Sequence, residues 1–430
     1  MALGLIWLIM FLCLLITIIK YTLGAILKWS VAGAKIKKDY TYQPSVSVVL
    51  PCYNEGSAVY EAIESLSRSN YPTEKFEVIA QDDCSVDDSY QWMLQAQRDF
   101  PQIRITVDRN AVNSGKARTV CNALRHSTAD IIISVDSDCI FDADAIRELA
   151  SCFNEPNIGA VGGRVGVRNP NTNPITAIQT FVYYAAFHLY KVPENWTRSV
   201  GCISGCLFAI RRDLLLKIEP VVRERHWFGI PVNQGEDRFM THLVLLEGYG
   251  AYINNDALCW TTVPDTLGQL FKQQLRWRQS ILRDLFFTLK TLPRHVFKLH
   301  PNALLHLVLT PLGAVVALLM ALTMLTGDPT AWAAPGPLVV YLVIAAALTW
   351  AIRKHSPKEA VKNPLALGAY VGWWLVSNLF LTPLALCTLD SRDWGTRSKD
   401  TLSNDTRNKE TQNEDVPSKE QEASLGHSNR

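Results

Sequence analysis

Apolar residues are concentrated near the two ends of the chain, and the middle has a mixed pattern of apolar and polar residues. Residues 3–19 form an apolar run that resumes after Lys20 and is long enough to cross a bilayer. Three apolar stretches follow towards the carboxyl end, at about 303–326, 337–352 and 365–388. The pattern predicts an amino-terminal transmembrane segment at residues 1–28 and a carboxy-terminal transmembrane region at residues 303–388.

Between these regions, short β-branched runs alternate with amphipathic helical segments. Four runs are predicted to be strands: "SVSVVLPCYN", "FEVIAQDDC", "IRITVDRN" and "ADIIISVDSDC". The alternation predicts an α/β domain at residues 45–260, with a mostly parallel sheet and helices on both faces. Ligands of such domains bind at the carboxyl ends of the strands, and several polar clusters occur at those points of the sequence.

Residues 262–298 mix aromatic, apolar and basic side chains, and they are predicted to form amphipathic helices on the cytoplasmic membrane face. No charged side chain precedes the first apolar run, whereas four lysines follow it: Lys28, Lys35, Lys37 and Lys38. The positive-inside rule therefore predicts a multi-pass plasma-membrane protein with a cytoplasmic middle. Residues 398–430 are polar and predicted to be disordered. The pattern does not determine on which side of the membrane this tail lies.

Charge and cysteine content narrow the class of protein. The formal net charge of +2 argues against nucleic acid as a partner. The ten cysteines include no CxxC pair and no His/Cys cluster at zinc spacing, so we expect reduced thiols. Cys202 and Cys206 are close in sequence, but a spacing of four on a strand-like segment is unfavourable for binding one metal.

Asp136 and Asp138 follow the apolar part of the fourth predicted strand. Residues two apart on a strand point to the same side, so both carboxylates can face one point. Carboxylates at the carboxyl end of a buried strand can hold a divalent metal and a phosphorylated ligand. An isolated pair of this kind also fits a strand that ends in solvated acids.

Further polar residues follow the first two strands and open a helix. Tyr53 and Glu55 follow the first strand, and Asp83 follows the second, where such side chains can stack on a nucleobase or bind a ribose. Gly115 and Lys116 open a helix and can contact phosphate. Their spacing is not that of a Walker A motif, and each cluster also fits an ordinary turn.

Two more clusters lie nearer the carboxyl end. Glu236 and Asp237 begin a predicted helix, where acidic residues also serve as helix caps. Gln273, Arg276 and Trp277 lie on the predicted interfacial helices, where arginine and tryptophan also occur as headgroup-level anchors.

The order and spacing of these motifs resemble the processive family-2 glycosyltransferases, which include hyaluronan, chitin and cellulose synthases and the rhizobial chitooligosaccharide synthases. The likeness covers roughly residues 45–397. The matching segments are "PCYNE", "DDCSVDD", "NSGKARTVCNAL", "VDSD", "GEDR", "VPDTLGQLFKQQLRWRQS" and "DWGTR". The resemblance implies a Rossmann-like nucleotide-diphospho-sugar transferase fold for the cytosolic domain.

The resemblance also implies which residues bind the donor. Tyr53, Glu55 and Asp83 would hold the uridine of a UDP-sugar, and Lys116 would contact its phosphates. Asp136 would contact the nucleotide.

Metal and catalytic roles are implied in the same way. Asp138 would bind Mg²⁺ or Mn²⁺ bridging the diphosphate, and Asp237 would be the general base, with Glu236 beside it. The diphosphate and the acceptor end would be clamped by Gln273, Arg276 and Trp277. A single base and a direct attack invert the anomeric centre, which gives a β-linkage from an α-UDP-sugar.

Hyaluronan synthesis from UDP-GlcNAc and UDP-GlcUA is the leading functional hypothesis, with the growing polysaccharide and the lipid bilayer as further partners. A chitin-type synthase that uses UDP-GlcNAc alone is the alternative, because the markers conflict. Cys206 replaces the proline usual in both groups, and "GED" is typical of chitin makers, whereas "DWGTR" resembles the bacterial hyaluronan synthases. The small number of predicted membrane spans is similar to that of the chitooligosaccharide synthases. Because four spans are few for a closed polysaccharide pore, a homodimer is a further alternative.

Two other functions are considered. A one-step transferase acting on a lipid phosphate generally lacks the Q-x-x-R-W sequence, which is present here. A non-catalytic UDP-sugar-binding export scaffold is expected to lose the base or the metal ligand, but this chain keeps Asp138 and Asp237.

Overall fold

The computed structural model describes residues 36–295 and 377–391, together with Lys354 and Trp373. Its centre is one eight-stranded sheet. The strands are β1 (Val46–Cys52), β2 (Phe76–Asp82), β3 (Arg104–Arg109), β4 (Ile131–Val135), β5 (Ile140–Phe141), β6 (Ile158–Val167), β7 (Leu207–Arg211) and β10 (Gly250–Thr261). A separate two-stranded sheet pairs β8 (His226–Trp227) with β9 (Ile230–Pro231).

Helices connect most of these strands. They are α1 (Ala58–Ser67), α2 (Ser89–Asp99), α3 (Lys116–Ala123), α4 (Ala145–Ala150), α5 (Pro174–Ala185), α6 (Lys191–Trp196), α7 (Arg212–Arg223), α8 (Glu236–Leu246), α9 (Leu267–His295) and α10 (Thr382–Cys387). A π-helical turn, Ala186–Tyr190, joins α5 to α6.

The strand order is β3-β2-β1-β4-β7-β6-β10-β5. Strands β3, β2, β1 and β4 are parallel to one another, and β6 is parallel to β10. Strand β7 runs antiparallel to both β4 and β6, and the short β5 runs antiparallel to β10. The prediction of an α/β fold with a mostly parallel sheet is confirmed, and the antiparallel strands are an addition to it.

Three strands of the parallel half of the sheet, β1, β2 and β4, are completely buried. All seven residues of β1 and all seven of β2 are buried, so side chains are covered on both faces of the sheet. A strand buried on both faces reads as a continuous apolar run, as in "VSVVLPC". This enclosure leaves the carboxyl ends of the strands as the accessible edge.

Residues 377–391 are tied to α9 by hydrogen bonds. Gln279 Nε2 donates to the Thr388 carbonyl oxygen at 2.9 Å, and Arg283 Nε donates to the Leu389 carbonyl oxygen at 2.8 Å. The predicted set of interfacial helices at residues 262–298 is one helix over its described part, the 29-residue α9.

Several predicted segments fall outside the part of the chain that the structure describes. These are the spans at residues 1–28, most of the region 303–388, and the tail at 398–430. Among the helices of residues 36–295 and 377–391, none combines the length and apolar character that a bilayer crossing requires.

Candidate active site

A cavity of about 820 Å³ opens at the carboxyl ends of the parallel strands and is covered by α8 and α9. It is lined by every residue that the sequence analysis selected: Tyr53, Glu55, Asp83, Lys116, Asp136, Asp138, Glu236, Asp237, Gln273, Arg276 and Trp277. The structure therefore brings all of them together, while the role of each stays a prediction.

Asp83 anchors the loop in front of α3. One carboxylate oxygen accepts hydrogen bonds from the Ser114 backbone N–H at 2.8 Å and from Asn110 Nδ2 at 2.7 Å. The other accepts from the Gly115 N–H at 2.8 Å. Gly115 has a φ of 82°, a conformation that glycine adopts without steric cost. Together these features direct Lys116, the first residue of α3, into the cavity.

The acidic pair lies in a turn and not on a strand, which corrects the prediction. Strand β4 ends at Val135, and the Cys139 N–H donates to the Asp136 carbonyl oxygen at 3.3 Å. The Asp-Ser-Asp sequence favours a turn because its side chains compete for backbone hydrogen bonds. The turn still presents both Asp136 and Asp138 to the cavity.

Lys116 is the cationic centre of the cavity. Its ammonium pairs with Asp136 Oδ1 and lies 3.0 Å from Glu236 Oε1. Burial opposes the charge of the ammonium, but these carboxylates hold the pKa of Lys116 well above its usual value. Lys116 in turn holds the pKa of Asp136 below its usual value, against the effect of burial.

Asp138 is a buried carboxylate whose negative charge is offset only in part by Lys116. Burial, followed by the charge of Asp136, raises the pKa of Asp138 to about 6. A divalent cation would offset both effects, and carboxylate oxygens are suitable ligands for Mg²⁺ and Mn²⁺. The donor set at this turn therefore fits the metal that the motif predicts.

The beginning of α8 is packed tightly against α9. Gly235, at the N-cap of α8, has a φ of 67° in the left-handed region. A Cβ at this position would lie 2.3 Å from Ser280 Oγ on α9, so only glycine fits there without displacement. The contact explains the glycine of "GEDR" and places α9 beside Asp237.

Asp237 is held in place by backbone groups. Its Oδ2 accepts from the Gly205 N–H at 3.0 Å, and its Oδ1 accepts from the Arg238 N–H at 2.7 Å. A fixed carboxylate at the cavity wall can accept a proton from a bound hydroxyl.

On α9, Gln273, Arg276 and Trp277 line the opposite wall. The ring centroid of Trp277 lies 6.4 Å from that of Tyr183, which the sequence analysis did not select. The positive charge of Arg276 also lowers the pKa of Asp136 in the acidic turn.

Sequence reasoning also missed two cations of the cavity, Lys191 and Arg238. Burial lowers the pKa of Lys191, whose ammonium lies 4.3 Å from the ring centroid of Phe187. Arg238 belongs to the quoted motif "GEDR" and was detectable there. Lys191 and Tyr183 come from a segment without a motif, and only the fold brings them to the site.

Comparisons with known proteins agree with this geometry. Residues 44–280 match the sequence pattern of the family described as glycosyltransferase like family 2. An N-acetylglucosaminyltransferase of Rhizobium sp. (strain N33) is 32% identical over 373 residues, covering 84% of this chain and 79% of that protein. A hyaluronan synthase of Streptococcus pyogenes is 27% identical over 382 residues, covering 86% of this chain and 88% of that protein.

A solved structure shares the fold. The mannosyltransferase PcManGT from Pyrobaculum calidifontis, in complex with GDP-Man and Mn²⁺, gives a TM-score of 0.53 at 20% identity. The match covers 87% of this chain and 98% of that protein.

The fold, the cavity and these relatives define a glycosyltransferase with a GT-A-like α/β domain. The matched pattern and the Rhizobium relative show further that the chain belongs to glycosyltransferase family 2. The family inferred from the motifs is therefore confirmed.

Proposed function

We propose that the protein is a membrane-embedded, processive, inverting glycosyltransferase that extends a β-linked, GlcNAc-containing polysaccharide from UDP-sugars. The observation that supports this most strongly is the single cavity in which Lys116, the acidic turn, Asp237 and the α9 residues meet. A donor, a metal and an acceptor need these groups within reach of one another.

Donor activation depends on positive charge around the diphosphate. As the glycosidic bond breaks, the leaving UDP gains negative charge, which Lys116 and Arg276 stabilise. Lys116 exchanges its contacts with Asp136 and Glu236 for contacts with phosphate. Asp138, with Asp136 beside it, would hold Mg²⁺ or Mn²⁺, and the cation would supply further charge neutralisation to the diphosphate.

Acceptor activation depends on Asp237. The acceptor hydroxyl is a weak nucleophile at neutral pH, so a carboxylate must take its proton during the attack. Because Asp237 is held by the Gly205 N–H, its carboxylate is positioned before the acceptor arrives. Trp277 and Tyr183 form an aromatic surface on which a sugar ring can pack.

Hyaluronan synthesis remains the first candidate because Lys191 and Arg238 line the cavity. The positive charges of these two side chains can attract an anionic sugar such as GlcUA. A chitin-type synthase is the second candidate, favoured by the "GED" form of the acid motif and by the rhizobial relative's name.

Membrane attachment is part of the proposal. Several large apolar side chains on α9, on the neighbouring hairpin and on residues 377–391 are exposed: Phe228, Phe271, Phe286, Leu289, Phe380 and Leu384. Such residues are suited to contact with lipid, and the apolar runs near both chain ends support a multi-pass protein of the plasma membrane with a cytosolic catalytic domain.

The test uses membranes that contain the protein, supplied with labelled UDP-GlcNAc with or without UDP-GlcUA. Hyaluronan synthesis predicts long product only when both donors are present, and digestion of that product by a hyaluronidase. Long product from UDP-GlcNAc alone that a chitinase digests assigns the chitin-type activity. A lipid-linked product of one sugar would contradict processive synthesis.

A further inference from the structure

Three cysteines from distant parts of the sequence meet behind the cavity wall. Cys139 follows the acidic turn, Cys206 precedes β7 and lines the cavity, and Cys259 lies on β10. The Cys139 and Cys206 sulfurs lie within 4.8 Å of each other, and Cys259 pairs across the sheet with Phe141, two residues after Cys139. Cys139 and Cys259 are fully buried, so the cluster reaches the cavity through Cys206.

A carboxylate completes this cluster. One oxygen of Asp136 and the sulfurs of Cys139 and Cys206 all lie within 4.8 Å of one another. Sulfurs around a tetrahedral Zn²⁺ lie about 3.8 Å apart, because the Zn–S distance is about 2.3 Å. Small side-chain movements therefore suffice to close these three groups around one cation.

The donor set selects a different metal from the one at Asp138. Mg²⁺ and Mn²⁺ prefer oxygen ligands, whereas two thiolates with one carboxylate suit Zn²⁺ or Cd²⁺. We propose that Asp136, Cys139 and Cys206 form a second metal site that takes a thiophilic divalent cation. Each cysteine that binds the cation releases its thiol proton to solvent, and no oxidation is involved.

Occupancy of this site affects the donor pocket. A cation bound to Asp136 removes that carboxylate from Lys116, which is its present partner. It also lies next to the proposed magnesium ligand, because Cys139 Sγ donates to Asp138 Oδ1 at 3.6 Å. Zn²⁺ is therefore an inhibitor of sugar transfer, and this consequence rests on the proposed function, while the metal site itself does not.

The experiment titrates Cd²⁺ into the purified full-length protein under a phosphine reductant and follows the ultraviolet cadmium–thiolate absorption. We expect a saturating band for the wild type and a binding constant weakened at least about tenfold in Cys206→Ser. Cys202→Ser is the matched control, because Cys202 also lines the cavity but lies outside the cluster. It keeps the band.

Two results would overturn the metal site: no cadmium–thiolate band in the wild type, or equal bands in the wild type and Cys206→Ser. The absorption does not depend on turnover, so a normal band in a protein without transferase activity contradicts only the proposed function. For the inhibitory role, Zn²⁺ is added to the polymer assay, and Cys206→Ser is expected to need at least about tenfold more Zn²⁺. Equal sensitivity of the two proteins would refute inhibition through this site.

Discussion

The cavity has two walls that are assembled in different ways. The wall formed by the ends of β1, β2 and β4 carries its polar residues immediately after buried apolar strands. The wall formed by α8 and α9 depends on contacts between segments far apart in sequence, such as Gly235 against Ser280. The first wall binds the donor in the proposed mechanism, and the second carries the base and the clamp.

Local sequence therefore determines the strand wall, whereas packing determines the helix wall. If the proposed mechanism holds, a change in the strand wall weakens donor binding. A change at the α8–α9 contact then displaces the proposed base and the proposed clamp together.

Asp237→Asn is expected to reduce kcat by about 10²–10⁴-fold, because the amide cannot take the acceptor proton. The amide oxygen can still accept from the Gly205 N–H, so folding and UDP binding stay close to wild type. The measurement is initial rate of polymer synthesis in membranes at saturating donor. Asp213→Asn, an exposed change on α7 outside the cavity, is the control and keeps full activity. Unchanged polymer output from Asp237→Asn would refute the assignment of the base.

Asp83→Asn tests the strand wall. An amide in place of the carboxylate loses at least one of the hydrogen bonds from Ser114 and Gly115, which loosens the loop that positions Lys116. Since a hydrogen bond to a charged group contributes about 1.5–3 kcal/mol, we expect KM for the UDP-sugar to rise about tenfold to a hundredfold. Steady-state kinetics separate the effect on KM for the UDP-sugar from the effect on kcat. A fall in kcat at unchanged KM would contradict a donor-binding role for Asp83.

Gly235→Ala tests the helix wall. The new methyl group collides with Ser280, and overpacking of this kind costs about 1–3 kcal/mol. We expect a lower melting temperature together with losses in both kcat and acceptor use. Gly229→Ala is the matched control, because Gly229 also has a positive φ of 84° but nothing lies within 4 Å of its added Cβ. Equal destabilisation by the two substitutions would show that the α8–α9 contact is unimportant.

Asp284 on α9 gives the smallest expected effect, a pH dependence of stability. Burial raises the pKa of Asp284 to about 6, although Arg225 Nη2 donates to it at 2.5 Å and opposes that rise. A carboxyl with a raised pKa in the folded state holds its proton more tightly than in the unfolded state. Its contribution to stability is therefore complete below the unfolded pKa of 3.8 and is lost as the pH rises through about 6.

The measurement is chemical denaturation of the wild type and Asp284→Asn at several pH values between 4 and 7.5. We expect the wild type to lose more stability than the variant as the pH rises over this range. Parallel pH profiles would show that Asp284 does not titrate with a raised pKa.

The two walls were also predictable to different degrees. The β-branched runs of β1, β2 and β4 predicted the parallel sheet, and the residues that follow them are in the cavity. The end of β4 was misplaced, since Asp136 and Asp138 lie in a turn that the backbone hydrogen bond from the Cys139 N–H to the Asp136 carbonyl oxygen closes. Sequence motifs also found Asp237 and Trp277, but through family resemblance and not through local physical patterns.

Other features of the site depend on long-range packing, which a single sequence does not reveal. Tyr183 and Lys191 reach the cavity because the π-helical turn joins α5 to α6 beside it. The fold also brings Asp136, Cys139 and Cys206 within 4.8 Å of one another, and no local cysteine motif in the sequence predicts this cluster. The antiparallel β7 likewise follows from tertiary pairing with both β4 and β6.

In the proposed mechanism, one cavity binds the nucleotide diphosphate and its metal beside the catalytic base. An experimental structure of the full-length protein with UDP and Mn²⁺ tests it most directly. We predict the diphosphate between Lys116 and Arg276, with Mn²⁺ on Asp138 and with Asp237 lining the same cavity. UDP bound on another surface, or a metal bound away from the acidic turn, would contradict the account.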